Sequence, residues 1–181
     1  SLKDKKVLMR VDFNVPLDSR GNITDNSRIV ASLPSISYIL EQGASLILMS
    51  HLGRPKGNVC QEFTLAPCAK ELSTLLDCSV QLTPDCTGEA TQKIVNNMQS
   101  GEVVLLENLR FYSAEESPDK DPSFAKKIAS YGDIYINDAF GTSHRKHSSV
   151  VTIPSYFPNK SAAGFLLEKE INFLGNHLKI G

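Results

Sequence analysis

Short apolar runs alternate along the chain with stretches whose apolar residues recur every three or four positions. The segment Lys6–Val11 reads as a strand and leads into a polar loop carrying Pro16 and Gly21. Ile29, Val30, Leu33, Ile36, Ile39 and Leu40 follow at helical spacing, with Pro34 either kinking that helix or opening a second segment. Ser45–Ser50 is a buried-type strand. Thr64 is placed to cap a helix carrying Leu65, Ala69, Leu72 and Leu76. A short strand at Val80–Leu82, a helix over Glu89–Met98 and a strand at Val103–Leu106 come next. Asp121 and Pro122 start a helix running to about Ser130, Ile134–Ile136 is the next strand, and a helix from about Ala163 closes the pattern. The acidic stretch Ala114–Asp121 reads as a solvated loop.

Strands that are apolar throughout, separated by amphipathic helices, predict a three-layer, Rossmann-like α/β domain with a mainly parallel sheet of about five or six strands. The 181 residues suffice for one such core, and 41% hydrophobic with 22% charged residues is ordinary for a folded domain. A net charge of −1 carries no basic stripe for nucleic acid. The first residues are too polar for a signal peptide, and the longest apolar run, Leu46–Met49, is far short of a membrane span. Cys60, Cys68, Cys78 and Cys86 form no C-x-x-C pair and are expected as free thiols. The chain opens at serine and stops at LGNHLKIG just after a helical pattern, as expected of an excised domain.

In parallel sheets ligands bind beyond the carboxyl ends of the strands. The segments after the strands are Asp12-Phe13-Asn14, His51-Leu52-Gly53-Arg54, Glu107–Phe111 and Asn137–His147. Of only six arginines, against thirteen lysines, Arg54, Arg110 and Arg145 lie there. A guanidinium presents a planar fork of donors matched to phosphate and carboxylate oxygens, so converging arginines imply a multiply charged anion. One such arginine alone would ordinarily be a surface ion pair, and Asp12 or Asn14 alone a turn residue. His144 and His147 lack a third ligand at a recognisable spacing, and no metal site is assigned. G-x-G-x-x-G, G-x-x-x-x-G-K-[ST], G-x-S-x-G and H-E-x-x-H are all absent from the sequence.

Six blocks resemble the amino-terminal domain of phosphoglycerate kinases, in that family's order: RVDFNVP (Arg10–Pro16), SRIVASLP (Ser27–Pro34), SHLGRP (Ser50–Pro55), ENLRF (Glu107–Phe111), NDAFGTSHRKHSS (Asn137–Ser149) and AGFLLEKEINFL (Ala163–Leu174). The resemblance implies transfer of a phosphoryl group from 1,3-bisphosphoglycerate to ADP, giving 3-phosphoglycerate and ATP, in a cytoplasmic, monomeric glycolytic enzyme. It implies that Asp12, Phe13, Asn14, His51, Leu52, Gly53, Arg54, Arg110 and Arg145 bind the acid substrate. Arg28 would meet both the substrate and the phosphoryl group in flight. By the same resemblance residues 1–170 form the acid-binding domain and 171–181 begin the interdomain helix. Mg2+ with ADP or ATP would be held by a carboxyl-terminal domain missing from this chain, which alone would be inactive. A non-catalytic module for phosphorylated acids, or a structural domain with surface ion pairs, are the other classes the residues allow.

Overall fold

The computed structural model describes residues 1–138 and 146–163. Six strands form one sheet: β1 (Lys6–Arg10), β2 (Ser45–Met49), β3 (Val80–Leu82), β4 (Val103–Leu105), β5 (Ile134–Asn137) and β6 (Ser161–Ala163). They lie in the order β3-β4-β2-β1-β5-β6 with every pairing parallel. The helices are α1 (Ser27–Glu41), α2 (Ala66–Leu76), α3 (Glu89–Asn96), α4 (Ser113–Glu116) and α5 (Pro122–Ala129).

Alternation along the central strands sorts side chains onto two cores. Val7 and Met9 of β1, with Leu46 and Leu48 of β2, pack against Ile29, Ile36 and Ile39 of α1 and Leu72 of α2. Leu8, Ile47 and Met49 face the other way, onto Val95 of α3 and Phe124, Ala125 and Ile128 of α5. Connections stepping toward β3 therefore cross on one face and those stepping back cross on the other, as right-handed crossovers require. Strands that exit toward opposite faces adjoin at β2/β4 and at β1/β5, and a crevice opens beyond the carboxyl ends at such points.

Of the two readings of Pro34, a second segment opening there is excluded: α1 runs through it as one helix, with Pro34 itself exposed. Three other expectations need correction. Thr64 is not the residue before α2, although its Oγ1 accepts from the Ala66 amide at 3.3 Å. Ala114–Asp121 is not simply a solvated loop: it holds α4, with Ala114 and Glu115 buried. Ala163 ends strand β6 rather than beginning a helix, and the expected helical residues beyond it lie outside the described residues. Asp121 does start its helix as expected, its side chain accepting from the Ser123 amide at 3.1 Å. The four cysteines are free thiols, and burial pushes Cys68 up to about 12 and Cys86 well above its ordinary range.

Candidate anion-binding site

Three strand exits are tied into one rim. After β1 the chain alternates, so Phe13 sinks fully into the core while Asp12 and Asn14 stay half-buried on the other side. The Phe13 amide donates to Ser50 Oγ at 2.9 Å, fastening this exit to that of β2. Asp12 Oδ1 accepts from the Asn14 amide at 3.1 Å, a local turn that holds its carboxylate in place. Asn14 Oδ1 in turn accepts from the Gly53 amide at 2.9 Å.

Gly53 is required where it stands. Its φ is +62°, and a Cβ there would come within 2.4 Å of the Phe63 ring. Asn108, wholly buried at the exit of β4, clamps the same loop from below. Its Oδ1 accepts from the Leu52 and Arg110 amides at 3.2 and 3.0 Å, and its Nδ2 donates to the carbonyls of Leu52 and Phe63 at 2.8 and 2.9 Å. One side-chain amide thus continues the β2–β4 pairing after the backbone ladder stops. Arg110 Nη1 then donates to the Gly53 carbonyl at 3.2 Å, and its Nε lies 4.0 Å from Glu116.

Arg28, from the first turn of α1, reaches across to the β1 exit. Its Nη1 donates to the Asn14 carbonyl at 2.7 Å and pairs with Asp12 Oδ1 at 3.3 Å. Asn14, Val15, Pro16, Asp25, Ser27 and Arg28 line a hollow of about 460 Å3 here. A larger cleft of about 1010 Å3 lies between the Leu17–Ile23 loop and α2. Its Arg20 and Lys70 are offset by Asp18, Glu62 and Glu71, so the charges lining it are balanced rather than gathered on one side.

Beneath the rim lies a buried polar cluster. Arg10, the last residue of β1, has no exposed surface. Its Nε donates to Ser149 Oγ at 2.9 Å, its Nη2 donates to His51 Nδ1 at 2.6 Å, and its Nη1 donates to the Val11 carbonyl. Ser149 comes from a π-helical turn, Ser148–Thr152, and its amide and hydroxyl both donate to the Glu115 carboxylate. The Tyr135 hydroxyl donates to the Ser149 carbonyl at 2.6 Å. Burial lowers Arg10 and raises Glu115, while their mutual attraction opposes both shifts. At the β5 exit, the Asp138 amide donates to the Arg10 carbonyl at 2.7 Å and burial pushes its carboxyl up to about 6.

The structure therefore brings together Asp12, Phe13, Asn14, Arg28, His51, Leu52, Gly53 and Arg110. Arg54 stands exposed beside them, and Arg145 lies outside the described residues. Sequence reasoning missed Arg10, Asn108, Glu115 and Ser149 as parts of the site's support. Arg10 carried a usable signal: an arginine at the end of an otherwise apolar strand must find a buried partner.

A sequence model described as phosphoglycerate kinase matches residues 1–180. The phosphoglycerate kinase of Chlamydia trachomatis serovar L2 is 55% identical over 181 residues, covering 99% of this chain and 45% of that protein. That of Chlamydia pneumoniae is 54% identical over 179 residues, covering 98% and 44%. Among solved structures, phosphoglycerate kinase from Pyrococcus horikoshii OT3 superposes with a TM-score of 0.80 at 37% identity, over 94% of this chain and 42% of that one. The Coxiella burnetii enzyme gives 0.78 at 37% identity, over 94% and 41%. The chain thus spans a little under half the length of the relatives it matches.

Proposed function

The chain belongs to the phosphoglycerate kinase family, and from that premise we propose that it supplies the acid-substrate site of an enzyme moving a phosphoryl group from 1,3-bisphosphoglycerate to ADP. The products are 3-phosphoglycerate and ATP. Residues 1–170 form the acid-binding domain in this reading, and 171–181 begin the connection to a second domain that holds the nucleotide with Mg2+. The chain alone has no kinase activity, and the complete enzyme is a cytoplasmic monomer. Among the described residues no group of three His, Cys, Asp or Glu side chains could hold a metal ion.

The observation that carries the proposal is the linkage of three strand exits and α1 through Asp12, Asn14, Gly53 and Arg110, with Arg28 at 2.7 Å from the Asn14 carbonyl. Phosphoryl transfer depends on positioning and charge neutralisation more than on covalent chemistry from the protein. Arg54, Arg110 and Arg145 grip the phosphate that does not react, with contacts alike in substrate and transition state. Asp12 and Asn14 orient the hydroxyl and carboxyl end. Arg28, docked on Asp12, is free to meet the phosphoryl group, where charge spreads over the equatorial oxygens.

Two measurements test this. Saturating 3-phosphoglycerate at about 100 times its dissociation constant should stabilise the chain by about 2.7 kcal/mol. That raises its melting temperature by roughly 5–10 °C, less at high salt. No shift at any salt concentration sinks the site. In the complete two-domain enzyme, Arg28→Ala should lower the single-turnover rate roughly 100- to 1000-fold, whereas Arg54→Ala should mainly raise KM. An intact single-turnover rate with weaker acid binding would move Arg28 into the clamp.

A further inference from the structure

His51 and Arg10 meet in a way that fixes more than position. A guanidinium has only donors, so the 2.6 Å contact from Arg10 Nη2 to His51 Nδ1 requires a lone pair on that ring nitrogen. The imidazole proton must then sit on Nε2, on the side of the ring turned away from Arg10. Arg10 is held in turn by Ser149 Oγ at its Nε, and Ser149 by the fully buried Glu115 carboxylate.

We infer that His51 serves the rim as a neutral donor with its proton on Nε2, and that Glu115 is the positioning residue that enforces this tautomer through Ser149 and Arg10. This rests on reading the rim as an anion site. It alters that reading in one respect: the positive charge at the rim comes from arginines alone, and His51 contributes a directed hydrogen bond without a charge.

The cluster has the chemistry this role needs. Glu115 on α4 and Arg10 on β1 are both without exposed surface, so each supplies the countercharge the other requires. The other charged or titratable groups acting on Arg10 are Tyr135, Asp12 and Arg110, and Arg110 also acts on Glu115. Ser149 stands between the pair as a relay that accepts from one and donates to the other. Three elements distant in sequence are thereby joined to one ring nitrogen: α4, the π-helical turn and β1.

The test is long-range 15N–1H correlation NMR of the ligand-free 181-residue chain at neutral pH, with His51 assigned among its four histidines by a His51→Gln comparison. We expect an unprotonated Nδ1 and a protonated Nε2. Protonated Nδ1, or protonation of both nitrogens, overturns the inference whatever the variants do. Glu115→Gln and Ser149→Ala should each convert His51 to a mixture of tautomers and weaken 3-phosphoglycerate binding about tenfold. Should Glu115→Gln fail to fold, Ser149→Ala carries the test, since it keeps both charges. A folded variant with the parent His51 pattern and parent affinity overturns the positioning role of Glu115. An unprotonated Nδ1 in a chain that binds no 3-phosphoglycerate would leave the tautomer standing and remove the anion site.

Discussion

Two arginines of this domain sit near the same strand ends and do opposite physical work. The Arg28 side chain is 52% exposed and pairs with Asp12 at 3.3 Å where water competes for both charges. Arg10 is 0% exposed and is matched to Glu115 through Ser149 in a place water does not reach. An exposed pair is worth little and is easily exchanged for a ligand's anion. A buried pair is not a large net stabiliser either, yet removing one partner strands a charge in a medium of low polarity. Depth therefore decides which arginine is free to handle a substrate and which holds the frame. The rim can rearrange because the layer beneath it cannot.

The comparison breaks most visibly at Glu115. Glu115→Ala should cost roughly 3–5 kcal/mol, since Arg10 keeps its desolvation without its countercharge. For a chain of this length that is a fall in melting temperature of about 6–20 °C, read by thermal or denaturant unfolding. A loss below about 1 kcal/mol would mean that the buried pair is dispensable. Asp138 sharpens the comparison as the intermediate case, half-buried where β5 meets the Arg10 carbonyl. Its carboxyl is raised from an ordinary 3.8 to about 6. The folded state thus holds its proton more tightly than the unfolded chain, and the associated stability is present below about pH 4. It is lost as pH rises through about 6. Melting curves across that window should show a decline on the order of 1 kcal/mol, after allowance for solvent screening. Asp138→Asn should flatten it, and an equally steep decline in the variant would assign the effect elsewhere. The smallest effect is expected at Arg28, where Arg28→Ala should change stability by no more than about 0.5 kcal/mol. A larger loss would show that the rim shares the frame's energetics.

How far the sequence discloses this arrangement follows the same divide. β2 could be read directly because Ser45–Met49 is buried at every position, and Leu46–Met49 is accordingly an unbroken apolar run. The start of α5 was legible because Asp121 and Pro122 are local signals that act on the next few amides. The rim residues Asp12, His51 and Arg110 were found because each lies in the short segment that follows a strand, two residues past β1, two past β2 and five past β4. Glu115 was invisible: its partners are Ser149, 34 positions away, and Arg10, while its neighbours are the exposed Glu116 and Asp119. Nothing local separates the buried carboxylate from the solvated ones. β6 was missed for another reason, since Ser161-Ala162-Ala163 has no branched or aromatic residue to mark an edge strand. Pro34 left two readings open because the cost of a proline within a helix is local, whereas the packing of Ile29, Ile36 and Ile39 that keeps α1 in one piece is tertiary.

The placing of β1 has a consequence for how the chain is made. β1 pairs on one side with β2, soon after it in sequence, and on the other with β5, where Lys6 meets Asp133 across 127 positions. At a synthesis rate of about 5–20 residues per second, the strand at the centre of the sheet waits roughly 6–25 seconds for its second neighbour. During that interval β3, β4, β2 and β1 can assemble, but one edge of β1 stays open. Arg10, at the end of that open edge, also waits for both Glu115 and Ser149. A nascent chain therefore carries an unpaired strand edge and an uncompensated arginine side by side, and both are satisfied only when the last third of the domain has left the ribosome.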